Sequence, residues 1–393
     1  MQTNYITELL NLKGVKVENL IKKEKNYEIH ISTKAKEHTC PCCGNKTKHV
    51  HDYRKQNIKH GILNNKTIIL VLNKRRYRCE KCGKKFYEKY DFINKFQRCS
   101  TVFFKVIFEK FSEVVSFSHI AREVGLSVTT IIRLFNYINF PKPKTLPEVL
   151  CIDEFKGNAD GEKFQCILVD GAKRKIIDIL PNRSTSFLID YFISFPRAER
   201  LKVKFFVSDL WKPYRELAKE LFPNAIIIAD KYHFQRQVTW AIENIRKKVQ
   251  KKLSPEKRKY FKRSKSLITK HYDELSYEEK QVLEIMFWYS EDLRLAHQLK
   301  EEYYKICCIK DKEKLRKEYA KWIYTVENCK IKEFKACTTA FHNWFEEIIN
   351  AFKYPYSNGV TEGLNNKTKV IKRVSYGIKR FRLLRNKIMI NNL

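Results

Sequence analysis

The chain has 393 residues, a hydrophobic fraction of 43%, 11 Gly and 10 Pro, a profile that excludes a disordered or fibrous polypeptide and predicts two to four folding units. Its formal net charge of +35, spread along the whole length, suits a long polyanion: each phosphate neutralised by Lys or Arg releases counterions. No run reaches the eighteen or more apolar residues of a membrane-spanning helix, and the first twenty residues lack the basic-then-apolar form of a secretory signal, so a cytoplasmic protein without a membrane partner is expected. In a reducing compartment the 12 Cys are not expected to form disulfides.

Residues 1–95 hold Cys40-x-x-Cys43 and Cys79-x-x-Cys82, each pair followed by Gly, at Gly44 and Gly83. Two such turns complete a tetrahedral four-sulfur site, so the segment is expected to be a zinc ribbon holding one structural Zn2+, with the β-prone run from Thr67 to Cys79 as one of its strands. Cys42 leaves the ligand set ambiguous, and His49 and His51 are read as surface or core residues. A closed site with four thiolates has no open position, so this metal folds the domain and does no chemistry.

Residues 96–145 contain apolar positions at Ile120, Val124, Leu126, Val128, Ile131, Ile132 and Phe135, which predict two short amphipathic helices with Gly125 in the turn and Ser127 as an N-cap. This is a helix-turn-helix pattern whose second helix presents Thr129, Thr130 and Arg133 to a DNA major groove; a generic helical hairpin gives the same periodicity.

Residues 146–240 change character. Three β-prone runs (VLCIDEF, KFQCILVD, KIIDILP) precede a helix, a strand (KVKFFVSDL), a second helix and a fifth strand (AIIIAD). That succession is the order of a ribonuclease-H-like mixed sheet. Residues 241–354 are rich in Lys, Glu, Leu and aromatics and are expected to form an all-helical insertion, after which residues 355–393 return to the sheet domain through the helix TEGLNNKTKVIKRV. The expected fold is therefore multidomain α/β.

Asp153 lies inside an apolar strand, where a carboxylate is costly unless it has a partner. Asp209 ends the fourth strand, the position at which α/β sheets hold ligands. Glu362 opens the last predicted helix, and Asn366, Lys369 and Arg373 follow it at helical spacing, giving a face with one acid and then cations suited to phosphate. Three hard oxygen ligands suit Mg2+, or Mn2+ in its place, and two such ions about 4 Å apart could activate an attacking hydroxyl and stabilise the leaving oxygen of a phosphodiester. Taken singly, each acid is more often a cap or a salt-bridge partner.

The segments CIDEF, SDLWKPY, ADKYHFQRQV and SNGVTEGLNNKTKVIKR, behind a CxxC ribbon and a helical pair, resemble the ISL3 family of insertion-sequence DDE transposases over nearly the whole chain. The resemblance implies an enzyme that binds the terminal inverted repeats of a bacterial element and cuts and transfers DNA strands. It puts Asp153, Asp209 and Glu362 at the three acidic positions and Asp230 with His233 at a secondary site beside the sheet edge. Double-stranded DNA, both element ends and target, is then the partner, on a nucleoid-associated homodimer or larger assembly. Two features depart from a clean match: Cys42, and Glu154, which could share the role of Asp153. Trp211 is expected to serve the core or to stack on a displaced base. Two other functions fit the same segments: an inactive DNA-binding regulator derived from a transposase, and a structure-specific nuclease on the same sheet.

Overall fold

The computed structural model describes residues 2–95, 97–262 and 264–392, and the chain divides into two compact units. The first comprises Met1–Phe140, Ile371–Ile378 and Asn386–Leu393; the second comprises Pro141–Val370 and Lys379–Arg385.

The first unit opens with helix α1 (Gln2–Leu9) and strands β1 (Val15–Lys22), β2 (Asn26–Thr33), β3 (His38–Thr39), β4 (Lys46–Thr47), β5 (Val50–Leu63), β6 (Lys66–Arg78) and β7 (Lys85–Tyr87). A five-stranded sheet runs β1-β2-β6-β5, with β7 on the far end of β6. Its centre is the long β5–β6 hairpin, closed by Asn64 and Asn65, both at positive φ, the conformation that matches the twist of two strands joined by a two-residue turn. Leu70 and Leu72 of β6, Ile58 of β5 and Ile29 and Ile31 of β2 form the core beneath it. The sequence pattern predicts β6; the sheet that flanks it is additional, because β1, β2 and β5 interleave Lys, Glu and His with their apolar residues and blur the period of two.

Three helices follow: α2 (Thr101–Lys110), α3 (Phe117–Glu123) and α4 (Val128–Phe135). Each is capped by a serine at its start, Ser100, Ser116 and Ser127, whose side chain accepts a backbone N–H of the first turn. Gly125 sits between α3 and α4 at φ +61°, and Ile120, Val124, Ile131 and Phe135 are buried. Val128 is an exception to the expected apolar stripe: as the first residue of α4 it points outward.

The second unit is built on β8 (Val149–Phe155), β9 (Gln165–Asp170), β10 (Lys175–Leu180), β11 (Phe205–Ser208) and β12 (Ile226–Ala229), in the order β10-β9-β8-β11-β12. β8, β9 and β10 pair antiparallel, and β8, β11 and β12 run parallel. All five match runs expected to be strands. Helices α5 (Thr185–Ile193), α6 (Arg197–Arg200) and α7 (Lys212–Leu221) lie between β10 and β12 in sequence, and Leu188, Phe192, Tyr214 and Leu217 of α5 and α7 bury one sheet face with Leu150, Ile152, Leu168 and Phe206.

After β12 the chain is helical: α8 (Lys231–Lys252), α9 (Lys265–Thr269), α10 (Tyr277–Trp288), α11 (Glu291–Cys307), α12 (Lys312–Asn328), α13 (Lys332–Asn343) and α14 (Phe345–Lys353), with two short 3-10 turns between. α8 runs unbroken across residue 240, so the insertion grows out of the sheet without a linker. Helix α15 (Gly359–Val374) is the expected last helix, and a further one, α16 (Phe381–Ile390), follows it. Among the described residues no helix is long and apolar enough to cross a membrane.

Candidate functional site

Strand register explains how residues distant in sequence meet. β8 and β11 pair Cys151 with Val207, and β11 and β12 pair Ser208 with Ala229; one or two further steps bring Asp153, Asp209 and Asp230 level with one another across three adjacent parallel strands. The backbone N–H of Asp230 donates to the Ser208 carbonyl at 2.9 Å, which carries the ladder to that row.

Burial pushes the Asp153 carboxyl up to about 6, and the negative charges of Asp209 and Glu154 add to the effect. Asp209 is likewise pushed up to about 6, by burial first and then by the charges of Glu154 and Asp230. Burial raises Asp230 as well, against the pull of His233, whose Nε2 lies 3.8 Å from Asp230 Oδ2. A row of carboxylates held against ionisation lacks positive charge, and the oxygen chemistry of the set fits a hard divalent cation.

Glu154 is engaged elsewhere: it ion-pairs with Arg183 and accepts a hydrogen bond from Tyr214 Oη at 2.9 Å. Asp153 keeps one oxygen on the Glu154 backbone N–H at 2.8 Å and the other on Asn365 Nδ2 at 2.7 Å. Asn365 stands on α15, and Asn358, just before that helix, donates to the Ile152 carbonyl at 3.0 Å. Two asparagines therefore pin α15 across β8, and both are buried. Sequence inspection passes them over because Asn and Thr on a helix look like solvent-facing residues, whereas Thr361, Asn365 and Thr368 form the buried face.

Glu362 lies in the first turn of α15 with its side chain exposed, and its charge acts on Asp230. The acids do not close to ligand spacing; among the described residues only a cysteine group does so. Asn366, Lys369 and Arg373 are exposed along α15, and Lys369 Nζ donates to Asn366 Oδ1 at 3.3 Å. Trp211 is half-buried, its ring 4.6 Å from that of Tyr214 in an edge-on contact and covered by the Arg183 guanidinium, so it serves the core.

In the first unit the sulfurs of Cys40, Cys43, Cys79 and Cys82 all lie within 4.8 Å of one another. Cys40 and Cys82 are 3.6 Å apart and Cys43 and Cys79 3.5 Å, close to the roughly 3.8 Å edge of a tetrahedron with zinc–sulfur bonds of about 2.3 Å. The two turns repeat the same geometry: Gly44 N donates to Cys40 O, Gly83 N donates to Cys79 O, and both glycines have positive φ. These residues fit zinc. Cys42 is exposed and outside the group, and contributes its backbone N–H to Cys40 Sγ; His49 and His51 are exposed and also outside it. On α4, Thr129 and Arg133 are exposed, while Thr130 is half-buried against the Ser127 cap.

Residues 150–388 match a family described as a transposase, of the ISL3 DDE type, and residues 36–82 match the zinc-finger of the transposases of IS204, IS1001, IS1096 and IS1165. The chain is also 22% identical over 369 residues to the transposase for insertion sequence element IS1001 of Bordetella parapertussis, an alignment covering 90% of this chain and 89% of that protein. Since the first match takes in well over half of the chain, including every strand of the acid-bearing sheet beyond Val149, the chain belongs to the ISL3 family of DDE transposases.

Proposed function

We propose that this transposase cuts DNA at the terminal inverted repeats of its insertion sequence and transfers the freed strands to a target, with Asp153, Asp209 and Glu362 holding two catalytic Mg2+ ions. The observation that carries the proposal is the row of carboxylates at the ends of three parallel strands, raised in pKa by burial and mutual repulsion. Asp230 extends the row toward Glu362. The strand order, with β8, β9 and β10 antiparallel, β11 and β12 parallel to β8, and helices before and after β11, supports a ribonuclease-H-like core.

Each residue has a task in this scheme. Asp153 and Asp209 offer one face of hard oxygens. Asn365 fixes the orientation of Asp153, and Arg183 with Tyr214 occupies Glu154 so that it does not compete. His233, with its Nε2 3.8 Å from Asp230 Oδ2, holds that carboxylate at the end of the row. Bound magnesium supplies Lewis acidity to the attacking water or 3'-hydroxyl and to the leaving oxygen.

The serine-capped pair α3 and α4 with its Gly125 turn supports a helix-turn-helix in which Thr129, Thr130 and Arg133 meet the major groove. Asn366, Lys369 and Arg373 are suited to the phosphate backbone. The ribbon, held by one structural zinc on its four cysteines, adds to this surface. Pairing two ends in one event requires at least a homodimer on DNA.

The test is cleavage of a labelled duplex carrying the element's ends in Mg2+ by the natural protein and by Asp209→Asn. Nicking and joining by the former alone is the expected result. Equal binding with no cutting by either protein would replace the proposal with a DNA-binding regulator, and cutting of branched DNA without joining would replace it with a nuclease.

A further inference from the structure

Helix α8 starts at the residue after Asp230, and its outer face carries Tyr232, Arg236 and Trp240 at a spacing of four. The buried stripe of the same helix includes Phe234, Val238, Ala241 and Ile242, and Tyr232, Arg236 and Trp240 lie off it. Tyr232 is 50% exposed and Trp240 45%, large apolar areas left to solvent. The Arg236 guanidinium lies between them, 5.3 Å from the Tyr232 ring centre and 4.1 Å from that of Trp240. Its buried Nε has no hydrogen-bond acceptor among the described residues. At the near end the Tyr232 ring stands edge-on to His233 at 5.7 Å, and His233 faces Asp230. At the far end Lys247 and Lys251 recur eleven residues after Arg236 and Trp240, on the same side of the helix, and both are exposed.

We propose that Tyr232, Arg236 and Trp240 form a stacking subsite for unpaired bases of the DNA end, leading from the acid row along α8. The inference rests on the proposal that the acid row cuts DNA. Base faces are free for aromatic and guanidinium stacking only where the duplex is open, and every base has such a face, so this recognition is indifferent to sequence. The cations further along the helix suit the phosphates of the same strand. The ladder selects an opened end and holds it beside the carboxylates; the unstacking cost falls on the duplex and is offset by the new stacks.

The experiment measures binding of the full-length protein, without divalent cation and at fixed salt, to two labelled ends: one fully paired, the other with three unpaired thymines at the terminus. The unpaired end is expected to bind more tightly. Trp240→Ala and Tyr232→Ala should each remove about 5- to 100-fold of that affinity, the range of a lost base stack, and leave the paired end unchanged. Trp240→Phe should keep most of the gain, and 2-aminopurine placed in the overhang should lose fluorescence with the natural protein and regain it with Trp240→Ala. Trp288→Ala, at a tryptophan 77% exposed on α10, is the control and should behave as the natural protein. Equal affinity of the natural protein for the two ends, or an equal loss on both in Trp240→Ala, would overturn the proposal. So would a loss of self-association in Trp240→Ala with overhang binding intact, which would make the ladder a protein contact. Because no cleavage is required, a natural protein that prefers open ends but never cuts refutes the catalytic scheme alone, and one that cuts while the ladder variants bind both ends normally refutes the subsite alone.

Discussion

Asp153 and Asp209, proposed above as metal ligands, weaken the fold that presents them. Their carboxyls titrate near 6 in the folded protein, above the usual carboxylate value, so the folded state holds more protons than the unfolded one between about pH 4 and 6. Their stabilising contribution is complete below that window and is lost as the pH rises through 6. In metal-free protein Asp209→Asn should therefore raise the melting temperature at pH 7.5 by a few degrees and change it little at pH 4, while abolishing cleavage; a lower melting temperature at pH 7.5 would contradict this. Protons compete with cations for the same oxygens, so cleavage at subsaturating Mg2+ should fall as the pH drops through about 6, and more Mg2+ should move that midpoint downward. A pH–rate profile at two Mg2+ concentrations checks it. The two aspartates were legible in the sequence because a charge in an apolar strand and an acid at a strand end both require explanation. Asp230 was legible only as a companion, since its equal standing follows from strand register, and Asn365 was not legible at all, its burial being decided by where α15 crosses β8.

At the level of elements, the five strands of the second sheet and the α3–α4 turn stand out in one dimension because each rests on local chemistry, short continuous β-prone apolar runs in one case and Ser caps with a left-handed Gly in the other. The flanking strands of the first sheet depend on pairing between distant segments, and α16 lies beyond the helix expected to be the last. Local devices can be broken singly. Asn365→Ala should leave secondary structure intact, cost about 10- to 100-fold in cleavage, and be partly relieved by extra Mg2+, because it removes the donor that orients Asp153 and not a ligand. A loss that extra Mg2+ leaves untouched would argue for a different role. Gly125→Ala meets both a φ of +61° and the Thr67 hydroxyl 3.3 Å from the new methyl group, so it should destabilise the first unit by about 1 kcal/mol and weaken binding to the element's end; Ser127→Ala should cost about as much through the lost cap. Denaturant titration read in the first unit measures both.

For the whole molecule, net charge and zinc set the conditions of use. With +35 formal charges, binding to duplex should lose about 10³- to 10⁵-fold in affinity between 50 and 200 mM salt if six to ten phosphates are engaged, and a shallow slope would show that the charge is not directed at DNA. Chelation should unfold the segment around Cys40–Cys82 while hydrogen exchange in β8–β12 stays slow, since the cysteine group belongs to the first unit and those strands to the second. The two units are interleaved along the chain. The first unit is completed by residues 386–393, where Asn386 donates to the Ile138 carbonyl, Lys387 to those of Phe111 and Glu113, and Asn391 to that of Phe111. A ribosome making this protein must therefore synthesise the entire second sheet before the amino-terminal unit can be finished. A transcript cut short, or a frameshift late in the gene, yields a chain whose amino-terminal half lacks its clasp, and such a fragment should be cleared by proteases instead of persisting as a competitor for the element's ends.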